Sequence, residues 1–177
     1  MCTATPTPSP TLTPEIKWLD GDFKITHYTF ALESDPVYAN DPKVSAKGFP
    51  PNEKYREGFL YGPYGVLMQG TGLTENGEYV TIDWTKGVPQ GKNTFFTHGI
   101  GGQGGKSEAW QTIATGDDRL PLGSRIIIEI YRERGVFTVN DTGGGVGACH
   151  IDVFVGAITL EEANELGTRY SRVGIVH

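Results

Sequence analysis

The sequence predicts an all-β protein built from short strands that many turns connect. Three observations support this class: 25 glycines among 177 residues, few long apolar runs, and repeated short segments in which apolar and polar side chains alternate. Hydrophobic residues make up 37% of the chain, and with the glycines the apolar share reaches the usual globular range, which is enough for a core. No apolar stretch approaches the roughly 18 residues that a membrane-spanning helix needs.

Alternation and turn signals place the individual strands. Residues 22–31 alternate as a first strand, and the apolar run over residues 65–70 is expected to form a buried strand. Asn76-Gly77 predicts a type I′ hairpin turn that leads into a strand over residues 78–84. Further strands are expected over residues 124–131, 135–140, 149–155 and 171–176. A closed barrel is the natural arrangement for such short strands.

One short helix interrupts this pattern near the end of the chain. Thr159 and Glu162 have the spacing of a capping box, and Gly167 stands where a helix C-cap glycine belongs, so residues 160–166 are predicted to be helical. Two long segments show little periodicity. Residues 33–63 contain five prolines, and residues 86–108 are rich in glycine. Long excursions in compact domains are often functional.

The N-terminal residues 1–15 are predicted to be a tether without a core, because Thr and Pro dominate them. A single folded domain is expected over residues 16–177. Met1-Cys2 is similar to the mature start of a bacterial lipoprotein, in which this cysteine carries the lipid; an ordinary terminus with an incidental cysteine is the alternative. Cys2 is therefore the candidate lipidation site, and the expected location is extracellular, on the cell envelope.

Charge and histidine spacing exclude several classes of function. The net charge of -6 and the scattered basic residues argue against a nucleic-acid-binding protein. The four histidines and two cysteines form no metal-binding signature, and neither a phosphate loop nor a nucleophile elbow is present. We expect no cofactor and no metal.

The aspartates are the strongest candidates for chemistry. Asp152 lies between Ile151 and Val153, so alternation turns its side chain to the face opposite those two apolar residues. An aspartate in an apolar strand with a second aspartate nearby is expected to have a raised pKa, as a general acid needs. Asp141 begins a loop of small residues. Asp141-Thr-Gly also invites comparison with aspartic proteases, but a single copy would require a homodimer.

Three motifs in order resemble the three-aspartate (3D) domain family, which contains the catalytic domain of membrane-bound lytic transglycosylase A and the stationary-phase survival proteins of Gram-positive bacteria. The motifs are Leu120-Pro-Leu-Gly, Asp141-Thr-Gly-Gly and Ile151-Asp-Val-Phe. The resemblance extends over residues 112–177, and the strand that contains Thr26-His-Tyr-Thr resembles the family's opening strand more loosely.

This resemblance implies a double-psi β-barrel with short peripheral helices and long loops, and a cleft that binds peptidoglycan. It implies cleavage of the β-1,4 bond between N-acetylmuramic acid and N-acetylglucosamine with a 1,6-anhydro product. Asp152 matches the catalytic aspartate and Asp141 the second one. The first aspartate maps to Asp117 or Asp118, because Gly116 stands at the family's usual position. The implied substrate-binding residues are Tyr28, Thr142, Gly143 and His150.

Two alternatives stay open at this point. Carboxylates on both sides of the scissile bond can activate water instead, which would make the enzyme a hydrolase. Expansin-like barrels share the double-psi fold and loosen polysaccharide without cutting it, so a non-catalytic wall-binding module is the second class of function. The expected partner in each case is the glycan strand, with no nucleic acid and with a membrane only through the lipid at Cys2.

Overall fold

The computed structural model describes residues 14–101, 107–142 and 145–177. Cys2, Gly143 and nearly all of the predicted tether lie outside these residues. The strands are β1 (Ile16–Trp18), β2 (Phe23–Tyr28), β3 (Ala31–Leu32), β4 (Lys43–Val44), β5 (Tyr55–Arg56), β6 (Thr71–Leu73), β7 (Tyr79–Ile82), β8 (Phe96–His98), β9 (Thr112–Thr115), β10 (Arg125–Ile128), β11 (Phe137–Asp141), β12 (His150–Phe154), β13 (Arg169–Ser171) and β14 (Val173–Val176). The α-helices are α1 (Glu57–Tyr61), α2 (Val66–Gln69) and α3 (Leu160–Leu166), and 3-10 turns span Pro36–Tyr38, Trp84–Lys86, Gly91–Asn93 and Glu129–Arg134.

Eight strands form the large sheet, in the order β1-β14-β10-β11-β9-β12-β2-β13. The pairs β11–β9 and β12–β2 are parallel and the other pairs are antiparallel. The side chains on one face close a core around Phe23, Ile113 and Phe137. The prediction of a mostly β fold with few short helices is confirmed. The expected closed barrel is not present as a continuous ring in the described part of the chain, because β1 and β13 each pair on one side alone.

Residues 31–101, which we call the second lobe, build a sheet and a core of their own. The small sheet has the order β3-β6-β7-β8, and β4 and β5 form a separate two-stranded ladder. Aromatic side chains supply half of the buried residues in the lobe's core, among them Phe49, Tyr55, Phe59 and Phe96. The segment that lacks periodicity in the sequence is therefore ordered by aromatic packing rather than by long amphipathic elements.

An aromatic chain joins the two lobes. The Phe154 ring on β12 lies 5.2 Å from the Tyr28 ring and 4.6 Å from the Phe30 ring, measured between centroids. Phe30 continues to Tyr79 of the small sheet at 5.7 Å. The end of β2, where the candidate site lies, is therefore packed directly against the second lobe.

Two local predictions are wrong. The predicted strand over residues 65–70 is helix α2, because Gly65 and Gly70 allow a single helical turn to begin and end there, with Gly70 at φ 80°. A four-residue apolar run carries no period that separates helix from strand. The hairpin β6–β7 is confirmed, but its turn is not type I′, since of Asn76 and Gly77 only Gly77 has a positive φ.

The C-terminal elements follow the sequence closely. The strands β12 and β14 lie within the predicted segments, and β11 extends one residue beyond its predicted end, to Asp141. The strand predicted over residues 124–131 ends earlier, as β10, because a 3-10 turn occupies Glu129–Arg134. Thr159 and Glu162 form the predicted capping box at the start of α3, and Gly167 ends the helix with φ 61°.

Gly72 provides a test of the second lobe. A Cβ at this position would lie 2.6 Å from the Phe59 ring and 2.6 Å from Val66. We expect Gly72→Ala to lower the free energy of unfolding by about 1–3 kcal/mol through overpacking, measured by urea denaturation. Gly147→Ala is the control, because a Cβ there meets nothing within 4 Å. Equal stability of the two variants would contradict the packing described for this lobe.

Candidate functional site

Four residues on four neighbouring strands form a row across the large sheet. Asp141 on β11 and Asp152 on β12 both pair with Ala114 on β9, and Asp152 also pairs with Thr26 on β2. Residues that are directly opposite in a sheet project to the same face. The two aspartates thus share one face across two strand spacings, about 10 Å between Cα atoms, and the small Ala114 side chain lies between them.

A bulge brings Asp141 into this row. The register between β11 and β9 runs from Val139–Ile113 directly to Asp141–Ala114, which leaves Asn140 without a Cα partner. Without the extra residue, Asn140 would oppose Ala114 and Asp141 would turn toward the core. Bulges often redirect a side chain in this way next to functional sites.

Asp152 is held by hydrogen bonds within the row. The Thr26 hydroxyl donates to Asp152 Oδ1 at 2.8 Å, and the same hydroxyl lies 2.8 Å from His150 Nε2. Ile151 and Val153, on either side of Asp152, are fully buried in the core, whereas Asp152 is half-buried on the opposite face. The alternation predicted for this strand is confirmed.

Burial sets the proton affinities in this cluster. Desolvation raises the pKa of Asp152 above its ordinary value, against the opposing effects of the Thr26 hydrogen bond and of His150 and Lys24. Desolvation, followed by the charge of Lys24, lowers the pKa of His150. Asp152 therefore keeps its proton to higher pH than an exposed aspartate, and His150 is biased toward the neutral imidazole.

Asp117 is a buried carboxylate in an ion pair. It accepts hydrogen bonds from the Arg119 guanidinium, with the shorter contact at 2.7 Å, and from the backbone N–H groups of Arg119 and Cys149. These donors, the guanidinium first, hold the pKa of Asp117 well below its usual range. Asp118 is exposed. Asp117 thus fixes the backbone just before β12, and its ionised state does not suit a general acid.

A cleft of about 600 Å³ lies between the two lobes. Tyr28, Ser107, Asp141 and Thr142 line it from the large-sheet side. The second lobe contributes an apolar wall that includes Leu67, Met68, Ile82 and Trp84. Asp152 and His150 are not among the lining residues. Both lie on β12, one strand beyond β9 and two strands from Asp141 on β11.

Tyr28 lies at the junction of cleft and row. It is two residues beyond Thr26 on the same face of β2, and its ring lines the cleft. Its hydroxyl is shielded from solvent and has no hydrogen-bond partner in the described part of the chain. Burial, together with the negative charges of Asp141 and Asp152, raises the pKa of Tyr28; the nearby Ser107 hydroxyl opposes this rise without forming a hydrogen bond of ordinary geometry.

Of the sequence-predicted residues, Asp141, Asp152, His150, Tyr28 and Thr142 share this region. Thr26, Arg119 and the apolar wall at Leu67 and Met68 were not among the site residues predicted from the sequence. Alternation in the sequence already places Thr26 on the face opposite the core residue Ile25. Its pairing with Asp152 could not be predicted, because the two residues are far apart in the chain. The helix that carries Leu67 and Met68 was itself predicted to be a strand.

The described residues contain neither a candidate metal site nor a candidate membrane-spanning helix. Within residues 14–101, 107–142 and 145–177, no three His, Cys, Asp or Glu side chains are placed to hold a metal ion. None of the helices in the same residues is long and apolar enough to cross a membrane.

Comparison with known proteins agrees with the resemblance carried by the three motifs. Residues 111–177 match the family model of the 3D domain. This stretch holds β9 to β14, and thus Asp117, Asp141 and Asp152. No curated protein sequence matches the chain.

Solved structures extend the likeness to most of the chain. MltA from E. coli with bound chitohexaose has 15% identity and a TM-score of 0.54, over 89% of this chain and 72% of that one. A second structure of E. coli MltA has 14% identity and a TM-score of 0.50, over 90% and 75% of the two chains. At this identity the likeness shows a shared fold, and it includes the second lobe that the family model does not reach.

The Asp117 ion pair can be tested through stability. We expect Asp117→Asn to lower the Tm by roughly 4–8 °C at pH 7, because charge-assisted hydrogen bonds of a buried carboxylate are lost. A depressed pKa contributes stability above the unfolded-state pKa, so the difference from wild type should shrink as the pH falls below about 4. Thermal melts between pH 2.5 and 7 measure this. The exposed neighbour variant Asp118→Asn is the control, and an equal effect of both would contradict the assignment.

Replacing Asp152 should change thermal stability at pH 7 in the opposite direction from replacing Asp117. Its raised pKa makes the ionised form a cost to the folded state at neutral pH, and this cost disappears as the pH falls through the folded-state value. We expect Asp152→Asn to raise the Tm at pH 7 by about 2–4 °C, which is the shift that a stability change of about 1 kcal/mol produces in a chain of this length. The gain should vanish near pH 4. A variant less stable than wild type at pH 7 would contradict the burial described for this side chain.

Proposed function

We propose that the protein is a peptidoglycan lytic transglycosylase, which cleaves the β-1,4 bond between N-acetylmuramic acid and N-acetylglucosamine and forms a 1,6-anhydro product. The observation that carries this proposal is the environment of Asp152. It is a half-buried aspartate with a raised pKa, fixed by Thr26, on the same sheet face as a second carboxylate. A carboxylic acid that keeps its proton is what glycosidic bond cleavage requires.

The proposed reaction needs one acid–base group. Protonated Asp152 donates its proton to the glycosidic oxygen, and the bond to C1 of the muramoyl unit breaks, which releases the N-acetylglucosamine hydroxyl. The Asp152 carboxylate then takes the proton from the muramoyl C6 hydroxyl. That oxygen bonds to C1 and closes the anhydro ring, so Asp152 returns to its protonated form and no water is consumed.

The neighbours of Asp152 have supporting roles in this proposal. Thr26 and His150 orient the carboxyl group through the shared Thr26 hydroxyl. Asp141 faces the same side of the sheet and stabilises the positive charge that develops at C1. Tyr28 and Thr142, which line the cleft, bind the glycan. We assign the same role to Gly143, which lies outside the described residues. Asp117 positions the start of β12, and we assign no proton transfer to it or to Asp118.

The cleft geometry and the structural neighbours support a glycan as the substrate. The cleft has a polar wall with Asp141 and Thr142 and an apolar wall with Met68 and Trp84, which suits sugar rings with polar edges and apolar faces. The neighbouring MltA structure contains chitohexaose. For this chain, the long glycan strand of the cell wall is the proposed partner.

Several further assignments belong to the same proposal. We propose that the large sheet corresponds to a double-psi β-barrel, and that residues 16–177 act as one domain. Residues 1–15 would be a tether and Cys2 a lipidated cysteine, which places the protein outside the cell on the envelope. A tether of this kind lets an anchored enzyme reach glycan beyond the membrane surface.

A digest of purified peptidoglycan tests the proposal. Wild type should release anhydromuropeptides, detected by mass spectrometry, and Asp152→Asn should lower the rate at least about 100-fold, the size typical of losing a general acid. Asp22→Asn is the matched control, because Asp22 is exposed and lies before β2; its activity should equal wild type.

Other outcomes of the same digest distinguish the alternative functions. Fragments heavier by one water would identify a muramidase-type hydrolase and contradict the anhydro mechanism. No product from either protein, with the wild type still sedimenting with peptidoglycan, would favour the expansin-like binding module. Equal activity of wild type and Asp152→Asn would remove Asp152 from the reaction.

A further inference from the structure

The Tyr28 hydroxyl is a buried donor without an acceptor. It is closed off from solvent and makes no hydrogen bond within residues 14–101, 107–142 and 145–177, although the Tyr28 ring lines the interlobe cleft. Buried hydroxyl groups in folded proteins nearly always have a partner, so a group without one calls for an explanation. A ligand in the cleft can supply the missing acceptor once a neighbouring side chain moves aside, and Ser107, which lies near the hydroxyl and also lines the cleft, is placed to do so.

The position of Tyr28 restricts what that ligand group can be. Tyr28 follows Thr26 by two residues on one face of β2, and Asp152 and Asp141 lie on the same face in the adjoining row. Two carboxylates near the hydroxyl disfavour an anionic ligand group. A phenol can donate and accept, and donation to an uncharged ligand oxygen is the bond that the two carboxylates do not oppose.

On an N-acetylated glycan, the acetamido carbonyl is the strongest neutral acceptor. Sugar hydroxyl and ring oxygens accept hydrogen bonds more weakly than an amide oxygen. The cleft also provides an apolar surface for the acetyl methyl group, from Phe30, Leu67 and Ile82. A donor beside an apolar surface is the combination that an acetamido group requires.

We propose that the Tyr28 hydroxyl donates a hydrogen bond to the acetamido carbonyl oxygen of a sugar unit in the cleft, and that it thereby selects N-acetylated glycans. This inference rests on the proposed function, since it takes the cleft to be the glycan site. It makes Tyr28 a specificity-determining residue whose contribution comes from the hydroxyl and not from stacking of the ring.

The test compares two neutral hexasaccharides by isothermal titration calorimetry. Chitohexaose bears acetamido groups and cellohexaose bears hydroxyls at the same positions. A de-N-acetylated oligomer is unsuitable, because its positive charge would be attracted to Asp141 and Asp152. All proteins are prepared with Asp152→Asn so that no turnover disturbs the titration.

We expect the parent protein to prefer chitohexaose over cellohexaose by at least roughly tenfold, the size of one well-made hydrogen bond. Tyr28→Phe should weaken chitohexaose binding by about tenfold and leave cellohexaose binding unchanged. Tyr38→Phe is a matched control: its hydroxyl is also buried and unpaired in the described chain, but it lies in the core of the second lobe and not on the cleft. Its binding should equal the parent's.

The outcomes separate this inference from the proposed function. If the parent binds both sugars equally, or if Tyr28→Phe weakens both to the same extent, the acetamido assignment is overturned while the glycan cleft stands. If the parent binds neither sugar and the wild type releases nothing from peptidoglycan, the proposed function fails and this inference fails with it. Thermal melts of both phenylalanine variants, expected to match the parent, separate a loss of binding from a loss of folding.

Discussion

The candidate site depends on the placement of β12 between β9 and β2. This strand pairs antiparallel with β9 and parallel with β2. The first pairing sets Asp152 opposite Ala114, and the second sets it opposite Thr26. A shift of one residue in either ladder would turn Asp152 into the core and bring Ile151 or Val153 to the face that Asp141 and Thr26 share. The full burial of those two side chains therefore fixes the face of the candidate site as firmly as any contact that Asp152 makes itself.

The start of β12 is fixed by a second device. Asp117 accepts the Cys149 backbone N–H at 2.8 Å, and Cys149 adopts a positive φ of 52°. A positive φ is unfavourable for a residue other than glycine, so the surrounding structure must hold it. The Arg119 guanidinium keeps the Asp117 carboxylate ionised and in place. Asp152 and Asp117 thus have opposite environments, because Asp152 is partly desolvated beside the Thr26 hydroxyl and Asp117 is paired with a guanidinium.

The sequence predicts most of the C-terminal half of the fold, including the strand that carries Asp152, but not β9, which carries Ala114. The C-terminal strands show apolar and polar alternation, and the capping box at Thr159 predicts where α3 begins. Apart from the β6–β7 hairpin, the second lobe could not be predicted, because its order comes from aromatic packing between elements too short to show a period. Asp141 illustrates the limit within the site: its place in the row follows from a bulge at Asn140, and no pattern of apolar and polar residues encodes an unpaired residue in a ladder.

The site also shows how fold and chemistry oppose each other. Burial raises the pKa of Asp152 and so favours the protonated acid, but the same burial destabilises the folded protein whenever this group is ionised. Thr26 moderates the conflict, since its hydroxyl donates to the carboxylate and limits the rise. Because Thr26 lies 2.8 Å from His150 as well, a neutral His150 can accept or release that hydrogen bond as Asp152 changes its protonation state. The hydroxyl therefore links the proton on Asp152 to the neighbouring imidazole, which suits the proposed role of Asp152 as an acid and then as a base.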